Sequence, residues 1–404
     1  MQRRRDLDWV RVCAFGLLVL YHVGMYYVTW DWHVKSAYAN TTIEPLMLLS
    51  SPWRLSLLFL VSGAASAFLL DRQPQGFLGA RSWRLLVPLL FGMLVIVVPQ
   101  AYYEVLDSRI PGGYHDGYLA FWARYLAGDG TFCDDDGCLD VPTWNHLWFV
   151  AYLWVYTVVI WLLARLMPTA YRRTVHWLDD RLSGWGVLLW PVLLLAVMRI
   201  ALVERFESTH ALVDDWYNHA QYFGVFLLGF LMARATGFWE AMQRLRWASL
   251  ALAAVSYSFV VWYFYASGYG DANPPPDALR QFQRAVWALN QWCSIAAIFG
   301  FAYRFRHADS RALRYLGPAV FPVYILHQTV IVVAAYNLKP LGMSTMPEGL
   351  LLVSLTFAVC FGSYELIRRV NWLRPLFGLK RLDPAPQPFD ALQPAFQEDR
   401  RDNS

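Results

Sequence analysis

The sequence predicts an all-α integral membrane protein, a polytopic bundle of about ten transmembrane helices with both termini cytoplasmic. Three observations carry that prediction. Of the 404 residues, 57% are hydrophobic and only 16% are charged, too few charges to cover a soluble protein of this length. The apolar residues gather into runs of about 20, the length that spans a hydrocarbon core. Arginines and acids segregate to alternate connections between those runs.

In order, the runs fall at about 9–29, 46–70, 82–103, 144–167, 185–203, 219–236, 247–266, 284–304, 312–337 and 347–370. Arg3 to Arg5, Arg72 to Arg84, Arg165 to Arg181, Arg234 to Arg246, Arg304 to Arg314 and the stretch Arg368 to Arg381 fall on one side. Glu104 to Asp140, Glu204 to Asp215 and Asp271 to Asp277 fall on the other. The positive-inside rule puts the basic side in the cytoplasm, so the net charge of +4 reports sidedness and not nucleic-acid binding. The first run is long, carries His22 and lacks a small-residue cleavage site near Tyr26-Tyr27-Val28, so it reads as a retained helix and not a signal peptide.

Residues 1–381 read as one membrane domain whose basic connections are short, and 382–404 as a polar, proline-containing, disordered cytoplasmic tail. No tandem repeat or fused soluble domain is evident. The longest acidic loop, 104–143, holds eight acids against two arginines, with Tyr114, Tyr118, Trp122 and Tyr125. That mixture suits either sugar faces or a folded cap seated at the interface. Ser62 to Ala67 is a run of small residues, read as a close helix contact. Cys13, Cys293 and Cys360 read as small buried residues. Cys133 and Cys138 suit a short disulfide on an oxidising side, and no third soft ligand nearby favours a metal.

Arg11 and His22 lie eleven residues apart, three turns and about 16 Å along one helix face. Ionisable groups at such depth are costly and commonly mark sites. Taken singly, Arg11 reads as an interfacial arginine with Asp8 one turn before it, and His22 as a packed histidine. Their shared face favours holding the two ends of a long molecule that enters from the cytoplasm. Arg81 and Arg84, three apart, share a face at the basic end of the third run, where two guanidiniums can grip a phosphate; arginines also flank such ends for topology alone. Arg54, His146, Arg199, His327 and Glu365 are further polar groups at depth, each on its own read as a helix-to-helix hydrogen bond, with Arg199 pairing with Glu204. His327 lies at a depth near that of His22. No H-E-x-x-H, G-x-S-x-G or Walker-type loop is present, so zinc hydrolysis, a nucleophile elbow and ATP use find no support.

Five stretches in order resemble the membrane-bound acyltransferase family 3. They are Leu7-Asp8-Trp9-Val10-Arg11 with Leu20-Tyr21-His22, Phe59 to Gly63 as F-x-x-S-G, Arg81-Ser82-Trp83-Arg84 as R-x-x-R, His146-Leu147-Trp148 and Tyr324 to His327 as Y-x-x-H. The match covers about residues 5–375, and its opening wording is nearest the glucans biosynthesis protein C branch, which succinylates periplasmic glucans. One departure is that Trp148 to Tyr152 lacks the glutamate many members carry after W-S-L. The esterase-like C-terminal domain of some relatives is also missing, so transfer is expected to finish in the membrane domain or on a partner.

The resemblance implies a multi-pass enzyme of a bacterial inner membrane that moves an acetyl or succinyl group from cytoplasmic acyl-CoA to a hydroxyl of an extracytoplasmic carbohydrate. Its implied partners are the bilayer, acyl-CoA and a glycan acceptor, with no nucleic acid and no permanently bound cofactor. His22 and Arg11 take the catalytic roles, Arg81 and Arg84 hold coenzyme A, and His146, Trp148, Arg199, Tyr324 and His327 are weaker substrate contacts. His22 acts either as general base or through an acyl-imidazole, and Tyr21, His146 or Tyr324 is a candidate for the oxyanion. The rival readings are a transporter of an acylated or polar small molecule, and a silent scaffold. Transporters usually show paired interrupted helices in two halves, and Pro88, Pro191 and Pro322 do not pair in that way.

Overall fold

The computed structural model describes residues 4–108, 113–134, 137–270 and 272–382, so the tail expected to be disordered lies outside the described residues apart from its first position. The described chain is almost entirely helical. In order the helices are α1 Arg5–Met25, α2 Glu44–Leu48, α3 Arg54–Arg72, α4 Phe77–Phe91, α5 Val98–Asp107, α6 Tyr118–Ala127, α7 Trp148–Leu166, α8 Pro168–Leu182, α9 Gly186–Leu202, α10 Trp216–Leu231, α11 Thr236–Tyr265, α12 Asp277–Ala302, α13 Arg311–Leu338, α14 Thr345–Ile367 and α15 Leu373–Leu376.

Among the described residues, eight helical stretches are long and apolar enough to cross a membrane. These are α1, α3, α7, α11, α12, α13, α14 and the run Phe77–Asp107, which comprises α4 and α5. Helices α9 and α10, of 17 and 16 residues, occupy the two remaining predicted runs. In Phe77–Asp107 a π-turn at Gly92–Ile96 joins α4 to α5. Pro88 withholds an amide hydrogen one turn before that break, and Pro99 opens the next segment, the sequence pattern that interrupts an i→i−4 ladder.

Two local expectations change. The connection 167–185 is not short: it forms α8, a 15-residue helix set at 110° to α9. Its arginines, His176, Asp179 and Asp180 leave it too polar to enter a core, and Pro168 fits its first turn. Helix α11 begins eleven residues before the apolar run, because Glu240 to Leu245 are good helix formers that hydropathy does not register.

Helix α10 packs along α3 and α11 along α12. At the first contact the small-residue stretch matters in detail. A Cβ at Gly63 would stand 2.0 Å from the Phe226 carbonyl oxygen, and one at Gly229 would stand 2.2 Å from that of Leu60. The two backbones touch where only hydrogen fits.

On the acidic side, residues 113–134 and 137–143 form a cap. Tyr114, Tyr118, Phe121, Trp122, Tyr125 and Phe132 pack on Tyr102 and one another, and the two-residue strands at Cys133–Asp134 and Gly137–Cys138 pair antiparallel. A disulfide joins Cys133 to Cys138. These rings therefore build the cap; they do not form an open sugar platform. Cys293 and Cys360 are buried as expected, whereas Cys13 is exposed on α1.

Candidate active site

Two cavities enter the bundle from opposite ends. One, of about 370 Å³, lies at the arginine-rich end and is lined by Arg4, Asp8, Arg11, Arg72, Arg81 and Arg84, with the Gly317-Pro318 step of α13. The other, of about 700 Å³, lies toward the acidic end and is lined by Tyr21, His22, His33, Arg54, His146, Trp148, Arg199 and His210, among others. Phe149 and Tyr324 line both, so two aromatic side chains stand where the cavities meet.

Arg11 and His22 therefore line different cavities. Arg11 donates to the Gly317 carbonyl at 3.0 Å and lies 3.8 Å from Asp8 in the first cavity, while His22 faces the second. Arg81 reaches Ser66 Oγ at 3.4 Å across to α3, and Arg84, one turn on, is exposed. Both border the first cavity with Arg11, so the three guanidiniums gather there.

The histidines meet in the second cavity. His22 Nδ1 lies 2.7 Å from His327 Nε2, with the ring planes nearly parallel. His327 is fully buried, and its Nδ1 lies 2.6 Å from the Tyr324 carbonyl oxygen. A carbonyl can only accept, so the His327 proton sits on Nδ1 and its Nε2 carries the lone pair. His22 Nδ1 must then be the donor of the 2.7 Å bond. That assignment leaves His22 Nε2 as the basic nitrogen, with no hydrogen bond from a described residue. Two neutral rings also suit the burial, since charging either one there is costly.

His146 and Tyr324 are committed to each other. The Tyr324 hydroxyl donates to the His146 carbonyl, and His146 Nε2 donates to the carbonyls of Tyr324 and Ile325 at 3.1 and 3.2 Å. Neither has a proton left for an oxyanion, which removes both from the three candidates and leaves Tyr21. Trp148 stacks on His210 with ring centroids 4.1 Å apart. His210, Leu212 and Asp214 all have positive φ, an uncommon backbone for non-glycine residues. Buried Asp215 holds that segment, accepting from the Tyr152 hydroxyl at 2.5 Å and from the His210 amide at 3.2 Å.

The pairing of Arg199 with Glu204 does not form. Glu204 binds Arg284 and, at 3.4 Å, Arg280; Arg199 donates to the Tyr217 hydroxyl at 2.6 Å instead. Arg199 sits near the end of α9 and reaches the neighbouring α10, whereas Glu204 has already left the helix.

A family model described as "Acyltransferase domain" matches residues 4–365. The chain belongs to acyltransferase family 3. Among the curated members it resembles is Glucans biosynthesis protein C of Escherichia coli O6:K15:H31 (strain 536 / UPEC), 22% identical over 392 residues, which cover 94% of this chain and 95% of that one. The proteins of the same name from Escherichia coli strain K12 and from strain ED1a of serotype O81 match over the same length at the same identity. No solved structure matches this chain.

The acyltransferase motifs converge: the first, fourth and fifth meet at the histidine cluster, and the R-x-x-R meets α1 at the arginine-rich cavity. Sequence reasoning missed His33 and underused Arg54. His33 follows α1 in a loop with no periodic signal, yet its Nδ1 lies 2.6 Å from a Glu104 carboxylate oxygen, and the Gln328 side-chain amide lies 2.8 Å from its Nε2. Burial opposes a charge on His33, but the Glu104 carboxylate outweighs it and holds the imidazole above its ordinary value. Gln328 donates to Gln100 Oε1 at 3.1 Å, and Gln100 donates to Thr329 Oγ1 at 2.6 Å, so this network fixes α5 and α13 beside the cavity.

Proposed function

We propose that this acyltransferase moves an acetyl or succinyl group from acyl-CoA, bound at the arginine-rich cavity, to a hydroxyl of a carbohydrate in the opposite cavity. The observation that carries the reading is the pair of cavities meeting at Phe149 and Tyr324, with guanidiniums on one side and a basic imidazole nitrogen on the other. Arg81 and Arg84, with Arg11, bind the phosphates of the donor. The thioester arm passes between Phe149 and Tyr324 to reach His22, so these two rings must part during turnover.

His22 Nε2 removes the acceptor's proton as its oxygen attacks the thioester carbonyl. Tyr21, next to His22 in the chain, faces the developing oxyanion. The C–O ester bond forms, the C–S bond breaks, and the proton passes from His22 to the departing thiolate, which restores the neutral ring. The chain crosses the bacterial inner membrane ten times in this reading, with both termini cytoplasmic and residues 1–381 as the catalytic domain. The opposed cavities then face the cytoplasm and the exterior. The relatives' printed name, which refers to glucan biosynthesis, supports a glycan acceptor.

Mass spectrometry of cell-envelope glycans, with and without this protein, reads donor and acceptor together as the mass of one acetyl or one succinyl. H22A should abolish that mass shift, a loss of at least about 100-fold in transfer, while the protein stays folded in the membrane. R81A and R84A should weaken coenzyme A binding and leave topology unchanged. A purified H22A protein with wild-type transfer would refute the assignment.

A further inference from the structure

The cavity that holds His22 carries charge that its walls do not match. Arg54, in the first turn of α3, is only 5% exposed. Its guanidinium lies 3.4 Å from the Tyr21 ring centroid and donates to Ser50 Oγ at 3.2 Å, while its buried Nε has no acceptor. Arg199 reaches the same cavity from α9, with its guanidinium 4.4 Å from the Trp287 ring centroid, one bond to the Tyr217 hydroxyl and a buried Nε without an acceptor. Among the described residues neither arginine forms an ion pair with a carboxylate. Glu204, the acid nearest Arg199 in sequence, is held by Arg284 and Arg280.

The remaining lining adds imidazoles, not acids: Asp31 is the acidic residue that borders the cavity, and it is exposed. A guanidinium cannot shed its charge, and leaving one buried beside neutral groups alone is costly. Two of them on one cavity, with faces covered by aromatic rings, are matched when a planar anion enters.

We propose that Arg54, together with Arg199, forms a subsite for a carboxylate carried by the bound substrate. The inference rests on the acyl-transfer reading for the identity of that substrate. The carboxylate has two sources in that reading: the far end of a dicarboxylic acyl group on the donor, or an acidic sugar in the acceptor.

The test titrates the full chain in lipid nanodiscs with two pairs of probes. Succinyl-CoA is set against butyryl-CoA, an acyl chain of equal length without the terminal carboxylate, and D-glucuronate against D-glucose. The wild type should bind one charged probe at least about tenfold more tightly than its neutral twin, and the pair that shows this names the source. R54Q should bring the preference within about threefold, R54K should fall between, and free coenzyme A should bind all three proteins equally. If R54Q fails to fold, seen as lost coenzyme A binding, R199Q replaces it with the same expected loss of preference. Equal affinity within both pairs for the wild type, or a preference that survives in the folded variant, overturns the proposal. Failure of the wild type to bind coenzyme A would instead sink the donor assignment, with the glucuronate pair still scoring the subsite.

Discussion

His22 can take a proton at Nε2 only while Nδ1 keeps its own, and His327 enforces that arrangement by accepting from Nδ1 at 2.7 Å. The Tyr324 carbonyl enforces the His327 tautomer in turn, at 2.6 Å. His327 is thus a positioning residue, acting through His22. H327F should keep the fold, leave coenzyme A binding unchanged and lower transfer by about 10- to 100-fold by releasing the wrong tautomer. H327Q should recover part of that loss, because its amide oxygen can accept from His22 Nδ1; a residue that only fills space would be served as well by Phe. The rate of transfer against pH, measured for the three proteins, separates the two cases. Helical arithmetic on the sequence places His327 near the depth of His22, but not the direction of the bond between them, which depends on a backbone carbonyl of α13. The same limit applies to Tyr324: its hydroxyl looks free in sequence and is spent on the His146 carbonyl.

Elements are held to the site by contacts that hydropathy does not encode. The Gly63 and Gly229 approach lets α3 carry Arg54 and Ser66 close to α10 and α4. G63A and G229A should each destabilise the protein by about 1–3 kcal/mol, since backbone and not a pliable side chain blocks the added carbon; melting in detergent measures it. The loop after α1 is tied down by His33 and Glu104. The folded-state value of His33 is raised, so its contribution to stability is fully present below the unfolded value of about 6.5 and is lost as pH rises through the raised folded value. E104Q should therefore lower stability more at pH 5.5 than at pH 9, and an equal loss at both would contradict the ion pair. Long apolar runs made most helices legible in sequence, with their order and the basic and acidic ends. Helix α8 was not, because a polar, amphipathic helix carries no long apolar run. Nor was this loop, whose place is set by residues some 70 and 300 positions away.

Across the whole molecule, the five motifs locate two chemical environments, one rich in guanidinium and one in imidazole. That Phe149 and Tyr324 stand where the two meet was hidden: Phe149 reads in sequence as an ordinary core aromatic, and the Y-x-x-H stretch marks Tyr324 without saying where its ring lies. Their position makes a narrow passage the physical core of the account. F149W should slow transfer by about tenfold or more by crowding the donor arm, with coenzyme A affinity unchanged in a direct titration. The most direct measurement follows two labels at once. Purified protein is sealed into vesicles of known orientation, with an acceptor glycan inside and acyl-CoA outside, labelled separately in its acyl group and in its coenzyme A. The account predicts that the acyl label becomes attached to the enclosed glycan while the coenzyme A label stays outside as free thiol. Entry of both labels together, with the thioester intact, would contradict it and favour a transporter.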